Sequence, residues 1–163
     1  GEVKADSADQ VIKNWEEIKL KEKGGNKTVL AGVPQSLPSL IKANRIQEKV
    51  RNVGFDWDEP IQAWQKVKEE MSEVEAEIAG NNPVGKEEEF GDLLFSVVNV
   101  ARLNGVNPDN ALERTNRKFT RRFNYLEAAA HQRGLNLRDM NLAQMDEIWE
   151  EAKALEREGK LPD

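Results

Sequence analysis

Apolar residues in this chain recur every three or four positions, in segments opened by Ser, Asn or Pro and closed by Gly, and no segment alternates apolar with polar. That period places apolar side chains along one stripe of an α-helix and leaves nothing for a half-buried strand, so the expected fold class is all-α. Ser7 and Gln10 have capping-box spacing, and Val11, Trp15 and Ile18 follow on one face of a helix reaching about Lys23. Residues 24–38 hold three Gly and two Pro and read as a linker. Leu40, Ala43, Ile46, Val50 and Val53 define the next helix, which stops at an expected left-handed cap on Gly54. Asp58 is the expected cap of a helix with Pro60 in its first turn, running to Ala79 and closed by Gly80. Its inward set is Ile61, Trp64, Val67, Met71, Val74 and Ile78. Asn82-Pro83 opens another helix, apolar almost all round over 93–103 and so expected at the centre of the fold. Asn107-Pro108 opens a helix to about Arg133, ended by Gly134. Asn141 and Gln144 cap a last one carrying Leu142, Met145, Ile148, Ala152 and Leu155.

What the chain lacks limits its chemistry. It has no cysteine, which removes disulfides, thiol nucleophiles and Cys-ligated zinc, and its single histidine, His131, rules out any multi-His metal site. With 24 basic against 30 acidic residues the net charge is −6, which argues against a nucleic-acid backbone as partner. No apolar run approaches the ~20 residues of a membrane helix. No signal-peptide pattern opens the sequence, and the expected location is cytoplasmic. Carboxylates, Lys, Arg and a metal are what remains for catalysis.

The two ends of the 163-residue sequence look alike. Ser7 and Asn141 each stand eight residues before a Trp, and Trp15-Glu16-Glu17-Ile18-Lys19 parallels Trp149-Glu150-Glu151-Ala152-Lys153. This is a candidate repeat of one helix, and with a Gly at position 1 it suggests a piece of a longer, duplicated protein.

Acidic residues concentrate on two helices. Lys66, Glu70, Glu73 and Glu77 share one stripe, because residues three and four apart face the same way. Glu89 and Asp92 are also three apart, beside the most apolar stretch of the chain, with Gly91 between them removing a side chain where two helices could approach closely. Four carboxylates from two helices suit a hard divalent ion that prefers oxygen ligands. Spacing alone leaves a solvated acidic face open as the alternative. A ferritin-like di-iron site needs a Glu-x-x-His on each of two helices, which His131 alone cannot supply.

A third cluster holds Asn116, Lys118, Arg121 and Arg122 around Phe119 and Phe123. Beside a metal such cations would hold phosphate oxygens, Arg in bidentate fashion; otherwise they form an ordinary basic strip paired with surface Glu. Trp149 and Lys153, at i and i+4, could stack on a base and reach an anion, although a lone Trp is more often a core residue. His131, near a helix end, has no expected catalytic role.

Taken together, Lys66-Val67-Lys68-Glu69-Glu70-Met71-Ser72-Glu73, then Glu87-Glu88-Glu89-Phe90-Gly91-Asp92-Leu93-Leu94-Phe95, then Asn116-Arg117-Lys118-Phe119-Thr120-Arg121-Arg122-Phe123 resemble the MazG nucleoside triphosphate pyrophosphohydrolases. The hallmark of that family, E-E-x-x-E followed by E-x-x-D, is complete. Gly32-Val33-Pro34-Gln35-Ser36-Leu37-Pro38-Ser39-Leu40 and Val53-Gly54-Phe55-Asp56-Trp57 also look like the family's linker and first-helix ending, so the resemblance covers nearly the whole chain.

The resemblance implies a helical bundle that dimerises and hydrolyses a nucleoside triphosphate to the monophosphate and diphosphate. It implies Glu70, Glu73, Glu89 and Asp92 as ligands of Mg²⁺, with Mn²⁺ as a substitute. It places nucleotide contacts on Lys66, Lys118, Arg121, Arg122, Trp149 and Lys153. Glu69 or Glu88 would be the base that takes the proton of water, and spacing does not choose between them. Because MazG proteins often carry tandem copies, residues 1–23 resemble the tail of an upstream copy, 24–38 a linker and 39–163 the catalytic domain. No nucleic acid or membrane partner is expected. Two other readings stay open: a catalytically silent nucleotide- or metal-binding regulatory module of the same fold, and a helical adaptor with solvated charge stripes.

Overall fold

The computed structural model describes residues 8–22 and 28–163, and every regular element among them is helical. The helices are α1 (Ala8–Glu22), α2 (Ser39–Asn52), α3 (Pro60–Gly80), α4 (Pro83–Leu103), α5 (Pro108–Gln132) and α6 (Leu142–Arg157), with one 3₁₀ turn at Leu137–Asp139. They fall into two compact units, Gly1–Asp109 and Asn110–Asp163. The expected capping box on Ser7 and the end of the first helix at Lys23 lie outside the described residues.

In the first unit α3 and α4 form the main pairing, joined by only Asn81 and Asn82; α2 lies against α4, and α1 against α2. Gly54 has φ 95° and ends α2 as expected, its N–H donating to Arg51 O at 2.8 Å. The cap of α3 is Glu59 rather than Asp58: its N–H donates to Gln62 Oε1 at 3.0 Å, and Pro60 then starts the helix where no N–H is needed. Gly80 does not close α3. It is the last helical residue, and Asn81 takes the left-handed conformation, with φ 53°, which its short polar side chain tolerates.

The buried face of α3 keeps Val67 and Val74 of the expected set but not the other four. Ala63, Val67, Glu70 and Val74 are buried, whereas Ile61, Trp64, Met71 and Ile78 are exposed. α4 does pair with both α3 and α2, but only Gly85, Ser96 and Val98 are buried on it; Phe90, Leu94, Phe95 and Val97 face outward. The close-approach glycine is Gly85, not Gly91. A Cβ on Gly85 would lie 2.4 Å from Glu77 Oε2, whereas a Cβ on Gly91 would meet nothing within 4 Å.

In the second unit Leu126, Ala129 and Ala130 of α5 and Ile148 of α6 make the core, flanked by Tyr125, Leu137, Met140, Met145 and Trp149. Asn141 and Gln144 form the expected capping box, with bonds of 2.8 and 2.9 Å. Gly134 has φ 69° and follows α5 as expected. Ile148 and Ala152 are buried as expected, but Leu142, the first residue of α6, is exposed.

Candidate metal centre and nucleotide site

Glu70 and Glu73 stand one helical turn apart on α3, and Glu89 reaches toward them from α4. One ligand oxygen from each lies within 4.8 Å of the other two. Glu70 is buried, at 5% exposure, and Lys66 one turn earlier holds its Oε1 at 2.7 Å. That ammonium keeps the Glu70 carboxyl below its ordinary range, while the pair raises Lys66 to about 12. Glu89 goes the other way. Desolvation, then the neighbouring Glu73, Asp92 and Glu70 carboxylates, push it up to about 7. Glu70 Oε2 and Glu89 Oε2 are both buried without a hydrogen-bond partner. Converging like charges with orphaned acceptors and only oxygen donors fit a hard divalent cation.

Asp92 is exposed and sits on the wall of the cavity that Lys66 and Glu70 also border. Glu69 and Glu88 are both exposed; Glu69 Oε2 is 3.3 Å from Lys66 Nζ.

The expected phosphate-binding cations other than Lys66 belong to the second unit, where acids already hold most of them. Glu156 takes Arg121 Nη2 at 3.1 Å and Arg122 Nε at 2.8 Å, with Arg122 Nη2 closing the fork. Lys153 pairs with Glu150 at 3.1 Å, and Lys118 is exposed. Trp149 is half-buried, its ring 5.0 Å from that of Phe119 and 5.9 Å from the Arg122 guanidinium. Asn116 is exposed and His131 exposed at the end of α5. Arg133 holds Glu151 at 2.6 Å, and the Tyr125 hydroxyl donates to the same carboxylate at 3.3 Å.

These pairs have a pH signature. The Arg133 guanidinium holds Glu151, and Arg122 holds Glu156, below the ordinary carboxylate range. A depressed folded pKa gives stability that is present above the unfolded value and lost as pH falls through the folded one. The urea midpoint of the wild type should therefore exceed that of Glu156→Gln at neutral pH, and the gap should narrow as pH falls below about 5 toward the depressed Glu156 value. Equal midpoints at neutral pH, or a gap that does not narrow in acid, would show that the charge of Glu156 contributes nothing.

The sequence reading missed Asp56 and Arg102. Arg102 forks onto Asp56 with bonds of 2.7 and 3.1 Å, and also donates to Asn99 Oδ1 at 2.7 Å. Asp56 lies inside the quoted Val53–Trp57 block, but its partner is 46 residues away and no spacing rule joins them.

Residues 59–126, which span α3, α4 and most of α5, match the MazG nucleotide pyrophosphohydrolase domain. The chain is 42% identical over 149 residues to the nucleoside triphosphate pyrophosphohydrolase/pyrophosphatase MazG of Thermotoga maritima, covering 91% of this chain and 57% of that protein. It is 40% identical over 156 residues to the nucleoside triphosphate pyrophosphohydrolase of Escherichia coli K12, covering 93% and 59%. Over these residues the chain is similar to the MazG family. It is also 44% identical over 158 residues to the uncharacterized protein YabN of Bacillus subtilis, covering 96% of this chain and 32% of that protein. The chain thus spans well under two thirds of these relatives' lengths. The MazG domain match includes the four carboxylates with Lys66, Lys118, Arg121 and Arg122, while Trp149 and Lys153 lie beyond it.

Proposed function

We propose that this MazG chain hydrolyses nucleoside triphosphates to the monophosphate and diphosphate, with Mg²⁺ as its ion and Mn²⁺ as a substitute. The observation that carries the reading is the convergence of Glu70, Glu73 and Glu89, with Asp92 nearby, inside the matched domain. The Thermotoga and Escherichia relatives, named for this activity, support it.

Glu70, Glu73, Glu89 and Asp92 would hold the ion, which when bound would supply neutralising charge for the polyanionic substrate. Lys66 holds Glu70 ionised and fixes its direction, so that a ligand oxygen stays aimed at Glu73 and Glu89. Water oxygen forms a new bond to phosphorus as the Pα–O–Pβ bridge breaks, diphosphate departs, and the water's proton passes to a carboxylate. Glu69 and Glu88 are the two bases the motif offers. Lys118, Arg121, Arg122, Trp149 and Lys153 contact the nucleotide in this reading.

The same reading makes the protein a cytoplasmic homodimer. No helix among the described residues is long and apolar enough to cross a membrane. Exposed apolar stripes on α3 and α4 support self-association. The helix repeat supports assigning 1–23 to an upstream copy's tail, 24–38 to a linker and 39–163 to the catalytic domain.

Diphosphate release from a mixed nucleoside triphosphate pool tests the proposal. Release with Mg²⁺ that stops in EDTA is the expected result. Nucleotide binding without release would make the chain a silent binding module, and release undiminished in EDTA would remove the metal.

A further inference from the structure

Glu156 ties together two rows of side chains in the second unit. On α6, Trp149, Lys153 and Glu156 stand at i, i+4 and i+7 and so share one face. On α5, Lys118, Arg121 and Arg122 stand at i, i+3 and i+4 and share another. Glu156 gives each arginine one oxygen. Its Oε1 accepts from Arg121 Nη2 at 3.1 Å, and its Oε2 accepts from both Nε and Nη2 of Arg122, the first at 2.8 Å. The Arg122 and Glu156 side chains are 19% and 22% exposed, so the contact is largely out of water, where a charged hydrogen bond is at its strongest.

Glu156 is what orients Arg121. The Nε of that guanidinium is buried without an acceptor, and Asp163 Oδ1 lies 3.8 Å from its Nη1, too far for a hydrogen bond. Arg122 also lies 5.9 Å from the Trp149 ring, so the same fork fixes a cation beside the aromatic. Three cations face one carboxylate: Arg122 first, then Arg121 and Lys118, hold Glu156 below the ordinary carboxylate range. Positive charge therefore remains in excess. A carboxylate standing in for a phosphate would cap the ends of the forks. Glu156 instead takes the Nε–Nη2 edge of Arg122 and leaves its Nη1 donors for another acceptor.

Resting on the nucleotide reading above, we propose that Glu156 is a positioning residue, which sets Arg121 and Arg122 of α5 in register with Trp149 and Lys153 of α6 before a triphosphate arrives. In this role it touches no substrate. It holds two like-charged guanidinia side by side that repulsion would otherwise turn apart, so that little ordering is left to be done on binding.

The α5–α6 pairing supplies its own control. Arg133, just past α5, holds Glu151 of α6 at 2.6 Å, and neither is among the proposed nucleotide contacts. In the full chain with Mg²⁺, Glu156→Gln should raise the KM for a nucleoside triphosphate about tenfold with kcat within about twofold, the split expected when binding is lost and chemistry is not. Glu151→Gln should leave both within about twofold, even where the urea midpoints of the two variants fall equally. An unchanged or lowered KM in Glu156→Gln overturns the proposal. So does an equal rise in both variants, which a general loosening of α5 against α6 would give. Glu156→Asp decides the matter if Glu156→Gln does not melt cooperatively. It keeps the charge but is one methylene short of both arginines, so KM should rise about threefold, and an unchanged KM overturns the proposal. The hydrolase reading fails separately. A wild type that releases diphosphate, with KM unchanged in Glu156→Gln, loses only the positioning role. A wild type that releases none loses the hydrolase, and the dissociation constant of an α,β-imido triphosphate then replaces KM: about tenfold weaker in Glu156→Gln alone keeps the positioning role, and no change removes it.

Discussion

Glu70→Gln should lower diphosphate release by more than about 100-fold, since changing even the outer partners of metal ligands costs 10- to 100-fold. The amide keeps the shape of the carboxylate and removes the charge that faces Glu73 and Glu89. Folding should survive. Lys66 keeps Glu69 at 3.3 Å, and the loss of one charge from a crowded acidic group relieves repulsion. Glu89→Gln should be at least as well tolerated by the fold, because a carboxyl raised to about 7 already spends much of its time neutral when no cation faces it. The experiment is a thermal melt beside a steady-state assay. Near wild-type activity in Glu70→Gln, at an unchanged melting temperature, would remove Glu70 from the ligand set.

Leu94→Arg should turn the proposed homodimer into a monomer. On α3, Ile61, Trp64, Met71 and Ile78 lie along one stripe and are 46–59% exposed; on α4, Phe90, Leu94 and Val97 do the same at 45–63%. An apolar surface of this kind on a chain with 33% charged residues is what the proposed homodimer would cover. An arginine buried there without a partner costs about 2–5 kcal/mol, at least ~30-fold in the dimer dissociation constant. Leu94 is 63% exposed, so the monomer should tolerate the change. Sedimentation velocity across a concentration series reads the outcome. A wild type that sediments as a monomer, or a variant that dimerises equally well, contradicts the assignment.

Period and punctuation made the helices legible from sequence. Pro60, Pro83 and Pro108 begin three of them, and Gly54 and Gly134 follow two. The facing of the helices was less so. Periodicity finds an apolar stripe without saying what covers it, and α3 carries two: Ala63, Val67 and Val74 against its own chain, and Ile61, Trp64, Met71 and Ile78 outward. Large side chains drew the prediction toward the second stripe, because small Ala63 carries little weight in a hydrophobic pattern. Gly91 drew attention for its place in the motif, but close approach belongs to Gly85, where the α3–α4 hairpin is tightest.

The carboxylates were legible because three- and four-residue spacing is a property of one helix at a time. Glu70 with Glu73 and Glu89 with Asp92 each satisfy it, and only the convergence of α3 on α4 needed the structure. Partners from different helices were not legible. Nothing in the sequence says that Glu156 occupies Arg121 and Arg122, or that Arg102 locks Asn99 and Asp56.

In the proposed function the Glu70–Glu73–Glu89 cluster with Asp92 serves the cleavage of a triphosphate between its first and second phosphorus atoms. Phosphorus-31 NMR of a nucleoside triphosphate incubated with the chain and Mg²⁺ reads this directly. Nucleoside monophosphate and diphosphate should appear in equal amounts in the wild type and not in Glu70→Gln. Nucleoside diphosphate with orthophosphate, or the same products from both proteins, would contradict it.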